Sequence, residues 1–485
     1  MAEGVHAEAG GMRFPDTHRI INTYINKFNL STISFSNMKE SQNGLLYFDG
    51  IQTTIESELN SYDSLLARVS DKWGECIEPI RLLKWEDVAI EYCGMSVLDF
   101  LHSNDFTEEE IDGFQKFGIG LGAYSSIMDL SVLEILQLFV SDAGSKNLQL
   151  VGGMERLSQS FVNDNEVPLH SLVKYGYQVS SIKQLTNGKY MISSNGDKTE
   201  TYTADFVIVT APLPALKHIK FDPPLEDDLN NAIKDTHYVQ SVKVFIQTKT
   251  PFWLDQDIDG MIISDLTIQN TYFVPEELSN GKGLIIASYT WEKQAAKLFE
   301  LSDEEKIDLA LDELSQIFPE IHSEFEQGAV KEWKNGFSIF KPGQQQRFHN
   351  ILRDQALDRV FLAGEHCSVE HGYFEGALET GIRAAANVLH NIDAEFESRF
   401  ESLIRGDISS STNATTSSLD ILVSSFDEQE KTKELPMREK TMLTLKQFRR
   451  STEEMQVPMR SLKSFRQYES ERYFSSAKHL MGMKW

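Results

Sequence analysis

The stretch Arg359–His390, RVFLAGEHCSVEHGYFEGALETGIRAAANVLH, decides the reading of this chain. Val360, Phe361 and Leu362 form a short apolar run suited to a buried strand, and Gly364 ends it. Beyond Tyr373, the residues Ala377, Leu378, Ile382, Ala385, Ala386 and Leu389 recur at helical spacing, several of them small enough to let a helix lie close on a sheet. A strand therefore feeds a glycine-bearing loop that opens a helix. The free N–H groups and partial positive charge of such a helix start suit a phosphate, or a ring that becomes anionic on reduction. Alone, strand, loop and helix read as an ordinary α/β connection.

More is written in the same stretch. The succession AGEH, HGY, EGA and GIRAA resembles the C-terminal flavin signature of the FAD-dependent amine oxidases. Glu8–Leu30, EAGGMRFPDTHRIINTYINKFNL, resembles the segment of L-amino-acid oxidases that carries the substrate carboxylate clamp. LVGGMERL from Leu150, ADFVIVTAP from Ala204, KFDPPL from Lys220, VKVFIQTKTPFW from Val242 and IIASYTW from Ile285 follow in the same order. Together they cover most of residues 8–390, thinning between Thr32 and Phe114, so the chain resembles the L-amino-acid oxidases within the monoamine oxidase group. GLGAYSSIMDLSVLEIL, from Gly120, is similar to the bacterial tryptophan monooxygenase and lysine oxidase branch.

The resemblance implies an α/β (α+β) architecture: a two-domain FAD-linked amine oxidase fold with an incomplete dinucleotide-binding domain, an interleaved substrate domain and a helical part. The expected boundaries are 1–50, 151–238 and 333–395 for the FAD-binding domain, 51–150 for the helical part of the substrate domain and 239–332 for the rest of it. Residues 396–485 are expected to form a disordered, basic tail. One departure is plain. The pyrophosphate of FAD ordinarily rests on a strand–GxGxxG–helix unit, which needs about 30 residues, and no GxGxxG occurs in the sequence. Gly118, Gly120 and Gly122 do not complete that spacing. Either this is an incomplete gene product, or the ADP half is held in another way.

Composition bounds the alternatives. At 485 residues with 41% hydrophobic, the chain can build two domains and a tail. No apolar run approaches membrane-spanning length, and the N-terminus lacks a signal peptide's apolar core. The net charge of −27 argues against a nucleic-acid partner. Three cysteines, Cys76, Cys93 and Cys367, are too scattered for a disulfide framework or zinc site, which favours a reducing, cytoplasmic compartment. A targeting segment ahead of the flavin unit would change that expectation. The tail 431–485 carries 13 Lys and Arg against 6 Asp and Glu, a net of +7. It reads as a solvated tail or as a contact for a partner or an anionic surface, and in the latter case deleting it abolishes co-sedimentation with acidic vesicles. A homodimer is allowed by the resemblance but is not read from the sequence.

Along the chain, Thr17–Phe28 has an amphipathic helical pattern and Leu45–Phe48 suits a strand. Gln52 to about His102 reads as helical, with a capped helix start at Thr107 and a packed helix over LSVLEILQLFV. From Val151 strands and turns are expected: Tyr177–Ile182, a turn at Asn187-Gly188, Tyr190–Ser193, and Thr201–Val209. Val239–Thr248, Gly260–Ser264 and Gly283–Tyr289 read as strands, and Ser302–Phe318 as a helix capped by Ser302 with Glu305.

The resemblance assigns roles residue by residue. Non-covalent FAD would lie against Gly10, Gly11, Met12 and Arg13, Val179 by the adenine, Trp333 on the isoalloxazine, and Gly364, Glu365, Tyr373 and Glu375 of the signature. Glu365 would accept from the ribityl chain. Arg13 and Tyr289 would clamp the substrate carboxylate, a planar fork suiting that group better than an ammonium does. Gly372 would offer its carbonyl to the substrate amine, with Tyr373 walling the slot. Lys243, by resemblance, holds a water at the flavin and assists reoxidation by oxygen. Each has a plainer reading: Arg13 as a surface ion pair, Lys243 as a solvent-pointing strand residue. Cys367 reads as a packing substitution where the relatives commonly have Thr, and the histidine proposed as a base in some L-amino-acid oxidases has no clear counterpart. The expected activity is oxidative deamination of L-amino acids to 2-oxo acids with ammonia and hydrogen peroxide, from an amino acid and oxygen. The alternatives are an amine or polyamine oxidase, an amino-acid monooxygenase, and a truncated non-catalytic family member.

Overall fold

The computed structural model describes residues 5–392 apart from 36–42, 118–125, 142–144, 165–168, 276–280 and positions 197, 259 and 354. The expectations for residues 396–485, and part of the GLGAY segment, lie outside the described residues. The described residues up to Ser160 and those of Lys174–Ala385 gather into one compact unit, and the described residues of Phe161–Val173 and 386–392 fall in a second.

Within the first unit the deciding stretch folds as its pattern predicts. The strand Val360–Leu362 lies at the centre of a three-stranded sheet, between Gln355–Leu357 and a parallel neighbour, Val207–Val209. Its three residues are buried. Gly364 then turns with φ +140°, and the helix Phe374–Ile392 follows. A Cβ on Gly364 would stand 2.4 Å from the His366 ring, so both the conformation and the space call for glycine.

A seven-stranded sheet runs in the order Phe325–Ile339, His237–Thr248, Gly283–Trp291, Asn270–Phe273, Met261–Ser264, Leu45–Phe48, Ile51–Thr54. Side chains alternate across it. Val242, Val244 and Ile246 face one way, into a core shared with Ala295, Leu298 and Leu311 from the helices Glu292–Phe299 and Asp303–Leu314. Phe245, Ile263, Tyr272 and Ile286 face the other way, against Met12 and Phe35. Each fully buried apolar side chain of this kind contributes ~1.5–3 kcal/mol before chain entropy is set against it. The helices Leu65–Ile80, Val97–Ser103, Glu108–Phe117 and Leu133–Ser141 build a further core around Trp73, Phe100, Phe114 and Ile135. Helix capping matches the sequence: Thr107 Oγ1 accepts from the Glu110 N–H at 3.3 Å in this core, and Ser302 closes a capping box with Glu305 at the start of Asp303–Leu314.

Three local expectations are corrected. Ile51–Thr54 is a strand rather than helix, because Asp49 (φ +53°) and Gly50 (φ +74°) close a tight hairpin onto Leu45–Phe48 before the helix Ile55–Leu59 begins. Thr201–Val209 divides: Thr201–Ala204 completes the meander with Val179–Gln184 and Tyr190–Ser194, whereas Val207–Val209 leaves it to pair with Val360–Leu362. Glu155–Val162 is a helix within the region expected to hold only strands and turns. Beyond the elements read from the sequence, Phe325–Ile339 forms one 15-residue strand that pairs with His237–Thr248 along nearly its whole length.

Candidate active site

The site is built on the sheet face opposite the two covering helices. Lys243 pairs directly with Tyr289 on one side and Lys331 on the other, so the three side chains stand in a row on one face. Two residues back, Ser241 pairs with Trp291 and with Trp333, which adds two indoles to that face. The period of two thus delivers both aromatic and cationic groups from three different strands.

Lys243 is not a solvent-pointing strand residue. It is 1% exposed, and its Nζ donates to the carbonyls of Glu8 at 2.9 Å and Gly10 at 2.7 Å. The ammonium also lies 4.5 Å from the centre of the Tyr289 ring. Burial pushes Lys243 down to about 7, with Glu8 pulling the other way and Arg13 adding to the depression. Trp333 ties down the same segment, its Nε1 donating to the Ala9 carbonyl at 2.6 Å. Two sheet residues therefore hold the backbone of Glu8–Gly10 from beneath. The Glu8 carboxylate fastens the loop on its other side by accepting from the Met154 N–H at 2.6 Å, while burial pushes its carboxyl up against the pull of that bond and of Lys243.

Arg13 follows from this anchored loop. Its guanidinium lies 5.0 Å from the Phe35 ring centre and 5.9 Å from that of Tyr272, residues that line a small cleft with Met12 and Ile286. Among the described residues Nη1 is buried and has no hydrogen-bond partner, while the Tyr272 side chain lies within bonding reach of the same guanidinium. A buried guanidinium N–H without an acceptor is costly to leave so, and a ligand carboxylate satisfies it. Tyr289 stands close by, 6.4 Å from Tyr272 ring to ring and 5.7 Å from Trp291; burial pushes its phenol up to about 12, so it remains a donor.

The signature loop supplies the other wall. Glu365 accepts from the Ser338 Oγ at 2.8 Å and the Gly372 N–H at 3.1 Å through Oε2, while Oε1 takes only a shared bond from the Ser338 N–H. Oε1 thus keeps capacity for a hydroxyl donor. Gly372 has φ +75°, and a Cβ there would press on the Phe337 ring at 3.1 Å. Tyr373 meets the edge of His18 at 5.1 Å. Cys367 is fully buried and its thiol is pushed up to about 12 by burial, in keeping with a packing role.

Two candidates stand elsewhere. Val179 begins the meander strand Val179–Gln184 and packs on the core around Tyr190 and Leu213. Glu375 turns its carboxylate to the N–H groups of Ile20 and Ile21, both at 2.9 Å, and so caps the helix Arg19–Lys27. The sequence reading passed over Phe35, Tyr272, Ser338 and Glu8. None carries a local pattern, since each reaches the site through a long-range contact.

The residues present fit FAD. Glu365 Oε1 keeps acceptor capacity for a ribityl hydroxyl, and the helix Phe374–Ile392 starts beside it, while Gly364, Gly372 and Gly11 let this loop and the Glu8–Gly10 segment pack closely on His366, Phe337 and Phe374.

Comparison with known proteins agrees. The family of flavin containing amine oxidoreductases matches residues 1–389. Among relatives, the putative L-amino-acid oxidase YobN of Bacillus subtilis is 28% identical over 417 residues, covering 80% of this chain and 85% of that protein. The L-amino-acid oxidase BmooLAAO-I of Bothrops moojeni is 27% identical over 413 residues, covering 80% of each. Among solved structures, a putrescine oxidase triple mutant superposes with a TM-score of 0.67 at 17% identity, over 81% of this chain and 90% of that one. The chain belongs to the flavin containing amine oxidoreductase family, whose members depend on FAD. It is an oxidoreductase with a mixed helix-and-sheet fold of the FAD-linked amine oxidase kind. Among the described residues no helix is long and apolar enough to cross a membrane.

Proposed function

We propose that the chain catalyses FAD-dependent oxidative deamination of an L-amino acid, yielding the 2-oxo acid, ammonia and hydrogen peroxide. The observation that carries this reading is the buried, unpartnered Nη1 of Arg13. An amine without a carboxylate would leave that N–H unsatisfied, which favours an amino acid over a simple amine or polyamine.

In this reading Arg13 and Tyr289 hold the carboxylate, and the Gly372 carbonyl accepts from the amine. Trp333 and Tyr373 bound the slot and exclude water. Hydride transfer from the substrate Cα and return of the electrons to oxygen are the chemistry that FAD supplies when bound. Lys243 contributes a buried positive charge on the same sheet face and holds or releases a proton at Nζ near neutrality. Positioning does most of the remaining work, because the loop carrying Arg13 is fastened by Lys243, Trp333 and Glu8. FAD would draw on residues 1–50, 151–238 and 333–395, and substrate on 51–150 and 239–332.

The test is the visible spectrum of the purified full chain with and without added FAD, followed by a peroxide assay across the L-amino acids. Stoichiometric flavin bands and peroxide from at least one amino acid are expected. A protein that stays colourless with FAD contradicts the reading.

A further inference from the structure

The helix Leu133–Ser141 sends Glu134 into the signature loop, where it meets His371. Both Glu134 oxygens lie 3.1 Å from His371 Nδ1, and the two side chains are 7% and 2% exposed. Glu134 Oε1 also accepts from the Phe340 N–H at 2.8 Å, and the His371 ring packs edge-on against Phe340 at 4.6 Å. Phe340 directly follows the strand Phe325–Ile339 that carries Trp333 and Phe337. One carboxylate thereby joins the helical part, the end of that strand and the residue immediately before Gly372 and Tyr373. Burial works against an imidazolium here, yet the charge and hydrogen bond of Glu134, with Glu365 adding to them, raise His371; His366 is the other titratable group facing it. A buried ion pair is an expensive way to join elements that apolar contacts would join as well. Its directional bonds fix a rotamer and a register instead, and the segment it fixes is the one assigned to the substrate amine.

We propose that Glu134 and His371 are positioning residues, setting the Gly372 carbonyl and the Tyr373 ring at the substrate amine while leaving the carboxylate clamp untouched. This rests on the amino-acid oxidase reading for its kinetic consequence but not for its structural one. Arg13 and Tyr289 belong to other elements, the loop after Gly11 and the strand Gly283–Trp291, and among the described residues no hydrogen bond joins either to the pair, Tyr373 being the one residue of the turn that lies near both. Loosening the turn therefore separates two quantities that a general loss of packing would move together.

The test uses the full chain with Glu134→Gln, close in shape but uncharged, and His371→Asn as the second variant should the first fail to fold. Without FAD, hydrogen exchange is followed in peptides covering 365–374 and 237–248. At least tenfold faster exchange in 365–374, with 237–248 unchanged, is expected; equal change in both, or in neither, overturns the proposal. With FAD, kcat for an oxidised L-amino acid falls at least tenfold, while the Kd of benzoate, a plain carboxylate probe read through the flavin spectrum, stays within twofold. Matched losses of kcat and benzoate binding overturn it as well. No oxidation by the unaltered chain would instead count against the reading of function, and the exchange result would still decide the role of the pair.

Discussion

Arg13 and Lys243 show how far a single residue type goes. The GGMR context singles out Arg13 in the sequence, and its Nη1, buried and without a partner among the described residues, supports the proposed ligand-facing reading. Replacing it by lysine keeps the charge but loses the planar fork, so KM for an amino acid is expected to rise roughly 10- to 100-fold with bound flavin unchanged. Steady-state kinetics beside the flavin absorbance checks this; equal loss of both contradicts a clamp. Lys243 was legible as a special strand residue only through the family pattern, because a period of two cannot say which face is buried. Its folded value of about 7 lies below the ordinary lysine range, so between those limits the unfolded chain binds the extra proton and stability rises with pH. Relative to Lys243→Met, the unaltered chain should gain stability from about pH 7 to about pH 10, by up to about 1.4 kcal/mol per unit. Denaturant titrations at both ends of that window show the gain; an opposite slope contradicts a lysine whose pKa burial depresses. In stopped flow, Lys243→Met is expected to slow reoxidation by oxygen and spare reduction by substrate.

At the scale of elements, periodicity found most strands and helices and missed what lay beyond its window. Gln52–Thr54 reads as helix in the sequence because it runs straight into Ile55–Leu59, and the left-handed pair Asp49 and Gly50 marks the hairpin instead. Val207–Val209 was read as the end of a meander because its alternation continues that of Thr201–Ala204; its true partner is more than a hundred residues away. Glu375 illustrates the same limit, since its carboxylate caps a helix 354 residues earlier. Glu375→Ala should destabilise the helix Arg19–Lys27 by about 1–2 kcal/mol, visible as a lower Tm, and by less for Glu375→Gln. An unchanged Tm would mean that the cap contributes nothing. Gly364→Ala belongs here too: φ +140° with a Cβ 2.4 Å from the His366 ring should cost about 1–3 kcal/mol, and a neutral substitution would contradict the turn.

For the molecule as a whole, the sequence carried the mixed architecture, the family and the FAD dependence, because the motifs recur in order along the chain. What it could not carry is how the seven-stranded sheet brings Lys243, Tyr289, Trp291, Lys331 and Trp333 onto one face, or that Glu8 and Trp333 brace the loop leading to Arg13. Those are products of long-range pairing, invisible to local pattern. The proposed function comes down to recognition of an amine that also bears a carboxylate. The most direct measurement is peroxide release by the full chain with FAD, comparing each L-amino acid with its decarboxylated amine, for example L-phenylalanine with phenethylamine. At least 100-fold preference for the amino acid, collapsing in Arg13→Ala, is the result predicted from loss of a buried charge-assisted pair of about 3 kcal/mol. Equal or faster oxidation of the bare amines would contradict it.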